Sequence, residues 1–568
     1  MINNVWLTRG QALLPEGRSS RVLLASVGVG ILVGGLVSVF EWLTIIVAFD
    51  GLARTPLAVQ AIAPVFGLAI AALILRTLGG GVSPSTSDEY LTAYHSRNPS
   101  LPIRSLGARL LAGVSTIGLG GALGLEGPSI YAGSTIGLAV QRRLDRFLGR
   151  DAVKMLITAG AAAGVAAVFQ APATGVLFAL EAPYRDDLAH RALLPSLLAS
   201  AASYSTFVSM PFARPQPLLG QVIAPGIGAG DLVAAFAIGV GAGLGGRLFA
   251  SLTRWVKRAA RSAPSPFLVL GGGALLGGLA LLSDAIFDAP LTLGPGVGAV
   301  EWMAAERTLP LIAALFVLRT VATLVTIGAG GTGGLFIPLA TQGVLLGGLV
   351  GAGLQQFGIE PESVRLLPIL GLAAFVAAGY RTPIAAVMFV AETTANSGQA
   401  VVPALIAAAV SQLVAGKESV SSGQRIERTG HLEERFTLPV ASALTTDVLT
   451  VPPDASISEF VWIHALGRRQ TVVPVVDGNT YIGMCAVTDC ARIPRSEWET
   501  TLVGDIVKSD GPTATPSWTL RDVVAAMEDA GADVLAVTDA DRSFIGIVLE
   551  SEIVKLGQIL DETAETAG

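Results

Sequence analysis

Charge is what this chain has least of. Only 14% of its 568 residues are Asp, Glu, Lys or Arg, against roughly 25% in a soluble globular protein. A chain so poor in charge does not cover itself with a water-facing surface over its whole length. Histidine is scarce too: His95, His190, His431 and His464 stand apart, so no His-based metal or general-base cluster is written here, and the four read as surface or linker positions. The two cysteines, Cys485 and Cys490, lack zinc-type and redox-type spacing and read as free thiols. No HExxH, GxSxG or Walker pattern occurs, so the chain does not read as an enzyme and no metal or required cofactor is expected. The net charge is −6 and there is no basic stripe, which argues against a nucleic-acid partner.

Apolar residues fill the gap. They make up 52% of the chain, and the mean hydropathy is +0.63. Apolar runs recur at 21–48, 55–78, 106–123, 153–181, 190–212, 229–251, 266–287, 309–328, 336–355, 364–391 and 399–415. Several exceed the ~20 residues a helix needs to span a bilayer; others are broken by glycine and proline, which at membrane depth is tolerated only where the backbone packs in protein or lines a cavity. The 67 glycines fit the close helix packing that lipid favours. The N-terminal stretch MINNVWLTRGQALLPEGRSSR does not read as a cleaved signal, because the apolar run after Arg21 is too long and has no clear cleavage site. The character changes near residue 416. The expected organisation is an N-terminal segment 1–20, a membrane domain 21–420 with halves at about 21–215 and 225–420, a polar linker 421–436, two small soluble α/β domains at 437–495 and 500–560, and a tail 561–568. In the soluble part, short strands such as 471–477 and 534–539 alternate with helical patterns.

The membrane part repeats itself. TIGLGGALGLEGP (116–128) lies over TIGAGGTGGLFIP (326–338) without a gap, matching Thr, Ile, four glycines, Leu and Pro, with Glu126 opposite Phe336. The stretch 159–181 lies over 370–392, pairing Gly160 with Gly371, Pro172 with Pro383, Phe178 with Phe389 and Glu181 with Glu392. The offsets are 210 and 211 residues. An internal repeat with Gly/Pro-interrupted segments at matched positions is the sequence mark of a secondary transporter or its relative, and those segments point to the substrate site. Pro128 and Pro338 suit the first turn of a helix, so each segment reads as a helix starting inside the membrane. Its first N–H groups are unsatisfied and its dipole presents about half a positive charge. Two such starts converging make an anion site without a full cation. Glu126 stands at one of them. As a carboxylate it is itself an anion and can occupy that site; protonated, it is neutral and can leave. A mid-membrane acid costs ~2.5–3.5 kcal/mol on insertion scales, more than a helix cap needs to cost.

These residues resemble the CLC family of chloride channels and chloride/proton antiporters. GLEGP (124–128) is similar to that family's G(R/K)EGP signature, GGLFIP (333–338) to its GGxFxP signature, and 159–181 to the segment that follows the first. The resemblance spans about 21–420. The tail resembles a tandem pair of CBS domains. The implied fold is an all-α polytopic membrane domain with an inverted repeat of broken helices, plus a small α/β CBS module. The implied function is transport of chloride or a similar small anion across a lipid bilayer by a homodimer with one pore per subunit, Glu126 gating. The resemblance places part of the central anion site at the backbone of Leu335 and Phe336, with Gly127 at the opposite helix start.

Three departures bear on mechanism. The family's GSGIP signature appears only as GGVSP (80–84), so its anion-binding serine falls on Gly81, with Ser83 two places on. The central-site tyrosine falls on Val420. The internal glutamate of many proton-coupled members falls on Ala182, so a proton relay through Ala182 to Glu126 lacks its side chain. Channel and antiporter both stay open, as does a fluoride-exporting relative, against which the intact GLEGP and the CBS tail weigh. A different class, a CBS-regulated divalent-cation channel, needs several acids facing the pore, and few stand in the helical runs besides Glu126, Glu181 and Glu392. The latter two read as polar helix ends. In the tail, the nucleotide-contact pattern has Ala486 and Asp489 in one copy and Leu549 and Glu552 in the other. Both hydroxyls are missing, so a structural tail is favoured over an adenine-nucleotide sensor. Arg9, Arg18, Arg21 and the basic run 254–261 read as cytoplasmic flanks of a cell-membrane protein; the tail is placed in the cytoplasm by resemblance.

Overall fold

The computed structural model describes residues 16–96, 98–149, 152–212, 228–259, 265–305, 307–356, 364–394, 398–425, 436–466, 471–509 and 511–556. Residues 1–15 of the N-terminal segment, His431 with most of the linker, and the tail 561–568 lie outside them. The chain divides into two units, 1–427 and 428–568.

The first unit is helical. Its main helices are α1 (Glu16–Glu41), α2 (Leu57–Thr77), α3 (Ser87–His95), α4 (Ile103–Gly118), α5 (Glu126–Arg143), α6 (Ala152–Phe169), α7 (Pro172–Glu181), α8 (Leu193–Val208), α9 (Ala229–Ala259), α10 (Pro266–Phe287), α11 (Leu309–Gly328), α12 (Phe336–Gln356), α13 (Leu367–Tyr380), α14 (Pro383–Thr393) and α15 (Gly398–Ala415). Among the described residues, seven helices are long and apolar enough to cross a membrane, and others are short apolar helices of 10–17 residues. Three of the short ones, Pro172–Glu181, Leu367–Tyr380 and Pro383–Thr393, come from two runs that read as continuous in the sequence. In 153–181 the chain breaks at Gln170, which takes a left-handed φ of 54°, and restarts at Pro172. In 364–391 it breaks at Arg381, φ 59°, and restarts at Pro383. A residue with positive φ ends a helix and proline opens the next; the two breaks fall at equivalent repeat positions.

The repeat governs the packing. Helix α5 packs on α6 and α12 on α13; α1 packs on α8 and α6, as α9 packs on α15 and α13. Glycine makes the tightest of these contacts possible. A Cβ on Gly133 would run into the Gly160 carbonyl, and one on Gly160 into the Gly133 carbonyl; the copies, Gly343 and Gly371, are locked in the same way. Backbones in such contact gain dispersion energy that lipid does not offer in its place.

The two copies meet through reciprocal contacts. Gly124 and Gly334 exchange N–H···O bonds of 3.0 and 2.7 Å in an antiparallel bridge. Ala122 N–H donates to Thr326 Oγ1 at 3.1 Å, and Thr332 N–H to Thr116 Oγ1 at 3.1 Å. Exchanged partners of this kind define a local two-fold relation. The two segments run antiparallel at this bridge.

The second unit is α/β. Strands β1 (Leu444–Thr445), β6 (Phe544–Leu549), β5 (Val534–Thr538) and β4 (Thr513–Ala514) form one sheet in that order; β2 (Val472–Asp477) and β3 (Thr480–Ala486) form an antiparallel pair. Two apolar clusters, one around Phe460 and Val475 and one around Leu520 and Val537, are the cores of its halves. Both cysteines are free and buried in the first of these.

Candidate anion pathway

Helices α5 and α12 begin at Glu126 and Phe336, the positions that glycine and proline marked. Their starts face each other across the Gly124–Gly334 bridge. The Glu126 carboxylate crosses to the other copy: Oε1 accepts from Phe336 N–H in a short hydrogen bond and from Ile337 N–H at 3.4 Å. The side chain is 1% exposed, and Oε2 has no hydrogen-bond partner among the described residues. The glycine cluster has a steric reason. A Cβ on Gly124 or on Gly334 would collide with this carboxylate, so the two glycines supply the room in which it lies. A Cβ on Gly127 would meet Thr86 Oγ1 and the Gly333 carbonyl.

A cavity of about 820 Å³ leads to this place. Gly333, Gly334, Leu335 and Tyr380 line it, and so do Gly81, Ser83 and Val420. Gly81 and Ser83 are exposed, and Ser83 Oγ is turned into its own loop, where it accepts from Ser85 N–H at 3.0 Å. Thr86 is the buried hydroxyl of that loop and donates to the Gly333 carbonyl at 3.3 Å. Val420 is buried; its N–H donates to Gly379 O at 2.9 Å and its carbonyl accepts from Lys257 Nζ at 3.2 Å. The charged residues of the lining are Arg76, Arg254, Lys257, Arg258 and one acid, Asp88. Asp88 is paired with Lys257 at 2.8 Å. Arg254 is paired with Glu418. The lining carries more cations than acids and, among the described residues, lacks the ring of acids a divalent cation requires.

Tyr380 is absent from the sequence reading. Its hydroxyl accepts from Leu335 N–H at 3.3 Å, so a tyrosine does reach the expected site, from the end of α13 and not from the Val420 segment. One signal was available: the repeat pairs Tyr380 with Phe169 at the 211-residue offset, so one copy carries a hydroxyl that the other lacks.

Ala182 is buried, and its carbonyl accepts from Gln424 Nε2 at 3.0 Å. Glu181 and Glu392 do not line this cavity; each caps a helix of the other copy. In the second unit Asp489 pairs with Lys508 at 2.7 Å and accepts from Ala486 N–H at 3.2 Å, while Glu552 pairs with Lys555 at 2.6 Å. Burial opposes ionisation of Asp489, but the Lys508 ammonium and the Ala486 N–H outweigh it and hold the carboxyl below its usual range.

A family profile described as voltage gated chloride channel matches residues 66–416. The chain belongs to this family. It is thus a membrane protein of a family of anion transporters, and CBS domains match at 440–495 and 503–558. Among solved structures, this family member resembles a slow cyanobacterial Cl−/H+ antiporter at 22% identity and TM-score 0.62, over 72% of this chain and 96% of that one. A CLC-type fluoride/proton antiporter matches at 23% identity and TM-score 0.61, over 72% and 98%. A eukaryotic CLC transporter matches at 19% identity and TM-score 0.53, over 93% and 98%. At these identities the likeness is one of fold.

Proposed function

We propose that this chain transports chloride or a similar small monovalent anion, and that Glu126 gates the path by competing with the anion. The carrying observation is the Glu126 carboxylate seated on the Phe336 and Ile337 N–H groups of the opposite helix start. Those donors hold a negative group by dipole and hydrogen bond together. A carboxylate there excludes the anion. Protonation removes its charge and its hold on the donors, the side chain leaves, and an anion takes its place. The basic cavity raises the local anion concentration at one end of this path.

Whether protons are carried along or only open the gate is decided by flux. Chloride efflux from proteoliposomes, with external pH recorded, is measured for the wild type and Glu126→Gln. Wild-type flux rises as pH falls, and the variant flows independently of pH. Uphill proton movement with chloride in the wild type alone makes the protein an exchanger; chloride flux without protons makes it a channel. Unchanged flux and unchanged pH dependence in the variant would reduce Glu126 to a helix cap and overturn the reading. Replacing chloride by fluoride in the same assay tests the fluoride alternative.

The tail is read as a structural module of a homodimer on the cytoplasmic face. The Asp489–Lys508 pair and the apolar Ala486 and Leu549 support this over an adenine-nucleotide site. A saturable rise in thermal stability of the full chain with ATP would reverse that preference.

A further inference from the structure

The cavity also opens sideways, between α2 and α10. These helices pack antiparallel: a Cβ on Gly277 would strike Ala61, and one on Gly273 would strike Val65. Carried on, that register sets Leu73 level with Ser265 and Pro266, and Arg76 just beyond the start of α10. Leu73, Arg76, Pro266 and Leu270 all line the cavity, and all four are exposed. Leu73 continues an exposed apolar face of Ile62, Phe66 and Ile70, and Leu270 stands beside the exposed Phe267 and Leu268. In a bilayer such faces meet acyl chains, which are as apolar as leucine. The end of α9 brings charge to the same opening. Arg254, Lys257 and Arg258 line it. Arg254 is paired with Glu418 and Lys257 with Asp88. Arg258 is exposed, and its Nε donates to the Arg254 carbonyl at 3.3 Å. Among the described residues neither Arg258 nor Arg76 has an acid partner. Between Arg254 and Arg258 stands Trp255, 64% exposed. Tryptophan concentrates at the membrane–water interface, so this end of α9 lies at headgroup depth.

We propose that the opening between α2, α9 and α10 binds an anionic phospholipid, its phosphate held by Arg76 and Arg258 and an acyl chain laid along Leu73 and Leu270. Two guanidinium groups without acid partners, with an apolar wall running from them into the acyl region, match an anion that carries a long apolar chain. Guanidinium forks bind phosphate oxygens in pairs. Basic residues at helix ends mark the cytoplasmic face, whose leaflet carries the anionic lipids, and basic pockets between membrane helices on that side take their headgroups. A lipid seated there ties α2 of the first repeat copy to α9 and α10 of the second. The site does not depend on which anion the chain transports, or on Glu126 being the gate.

The test uses the full chain in detergent. Phosphatidylglycerol, phosphatidylcholine or inorganic phosphate is added; retained lipid is counted by native mass spectrometry, and the thermal midpoint is followed. The wild type is expected to retain phosphatidylglycerol in preference to phosphatidylcholine and to melt several degrees higher with it, while inorganic phosphate does neither. Arg76→Gln/Arg258→Gln is expected to weaken retention of phosphatidylglycerol roughly tenfold and to lose the rise in midpoint. Arg54→Gln, at an exposed arginine outside the cavity, is expected to behave as the wild type. The single variants Arg76→Gln and Arg258→Gln, each weaker by a smaller factor, carry the test if the pair fails to fold. Equal retention of the two lipids would reduce the opening to ordinary acyl-chain contact and overturn the proposal. So would glutamine variants that hold phosphatidylglycerol as the wild type does. A rise in midpoint with inorganic phosphate equal to that with phosphatidylglycerol would make this a site for a free anion, and the lipid proposal would fail.

Discussion

Glu181 and Glu392 show what a single acid does here when it does not line the cavity. Glu181 accepts from Ile384 N–H at 3.0 Å and Ala385 N–H at 2.7 Å, at the start of α14. Glu392 accepts from Ala173 N–H at 2.8 Å and from Thr174 N–H and Oγ1–H at 2.7 Å, at the start of α7. Each closes the other copy's helix. Glu126 differs in keeping one buried oxygen unpartnered among the described residues and in standing beside a cavity. We expect Glu181→Ala and Glu392→Ala each to lose roughly 1–3 kcal/mol, the cost of orphaned buried N–H groups, read as lower thermal stability with unchanged anion preference. A changed preference would move them into the path. At Cys485, burial pushes the thiol up to about 12. Thiolate is the reactive form, so maleimide labelling at neutral pH is expected only after the second unit unfolds. Labelling of the folded protein would contradict this.

At the level of elements, the helix pairs stand on backbone contact. Gly160 meets the Gly133 carbonyl, whereas nothing lies within 4 Å of a Cβ placed on Gly278. Gly160→Val is expected to force α5 and α6 apart and give no monodisperse protein in detergent; Gly278→Val is expected to purify and transport like the wild type. Equal behaviour of the two variants would show that the close approach is dispensable. The helix starts at Glu126 and Phe336 were legible because glycine and proline act locally, through sterics and a missing N–H. The breaks at Gln170 and Arg381 were less so. Neither residue favours a left-handed φ, and only the prolines two positions on hinted at them. Ser83 was the hydroxyl nearest the expected position in sequence, yet the loop turns it outward and buries Thr86; a turn's direction depends on what packs beneath it.

For the molecule as a whole, the division between 427 and 428 separates two kinds of stability. The first unit rests on apolar helices packed on one another, the second on two small apolar cores. Asp489 is held below its usual range, so its contribution is full above the unfolded carboxylate value near 3.9 and is lost as pH falls through its lower folded value. Lys508→Ala raises that folded value. The variant's second unit is therefore expected to unfold at a higher pH on acid titration, with a loss near neutrality of at most ~1 kcal/mol because Lys508 is largely exposed. Circular dichroism of the full chain during acid titration checks it; coincident titrations would show that the pair is inert.

The sequence by itself determined the membrane character, the repeat, the two helix starts, the acid between them and the soluble tail. Each is written in composition or in short-range rules of glycine, proline and hydrophobic period. Only the tertiary structure decided which donors Glu126 occupies, since Phe336 lies 210 residues away. It alone put Tyr380 on Leu335 and gathered Arg76, Arg254, Lys257 and Arg258 around one cavity. Those are meetings between distant segments, set by how the two copies pack, and no local property of the chain encodes them.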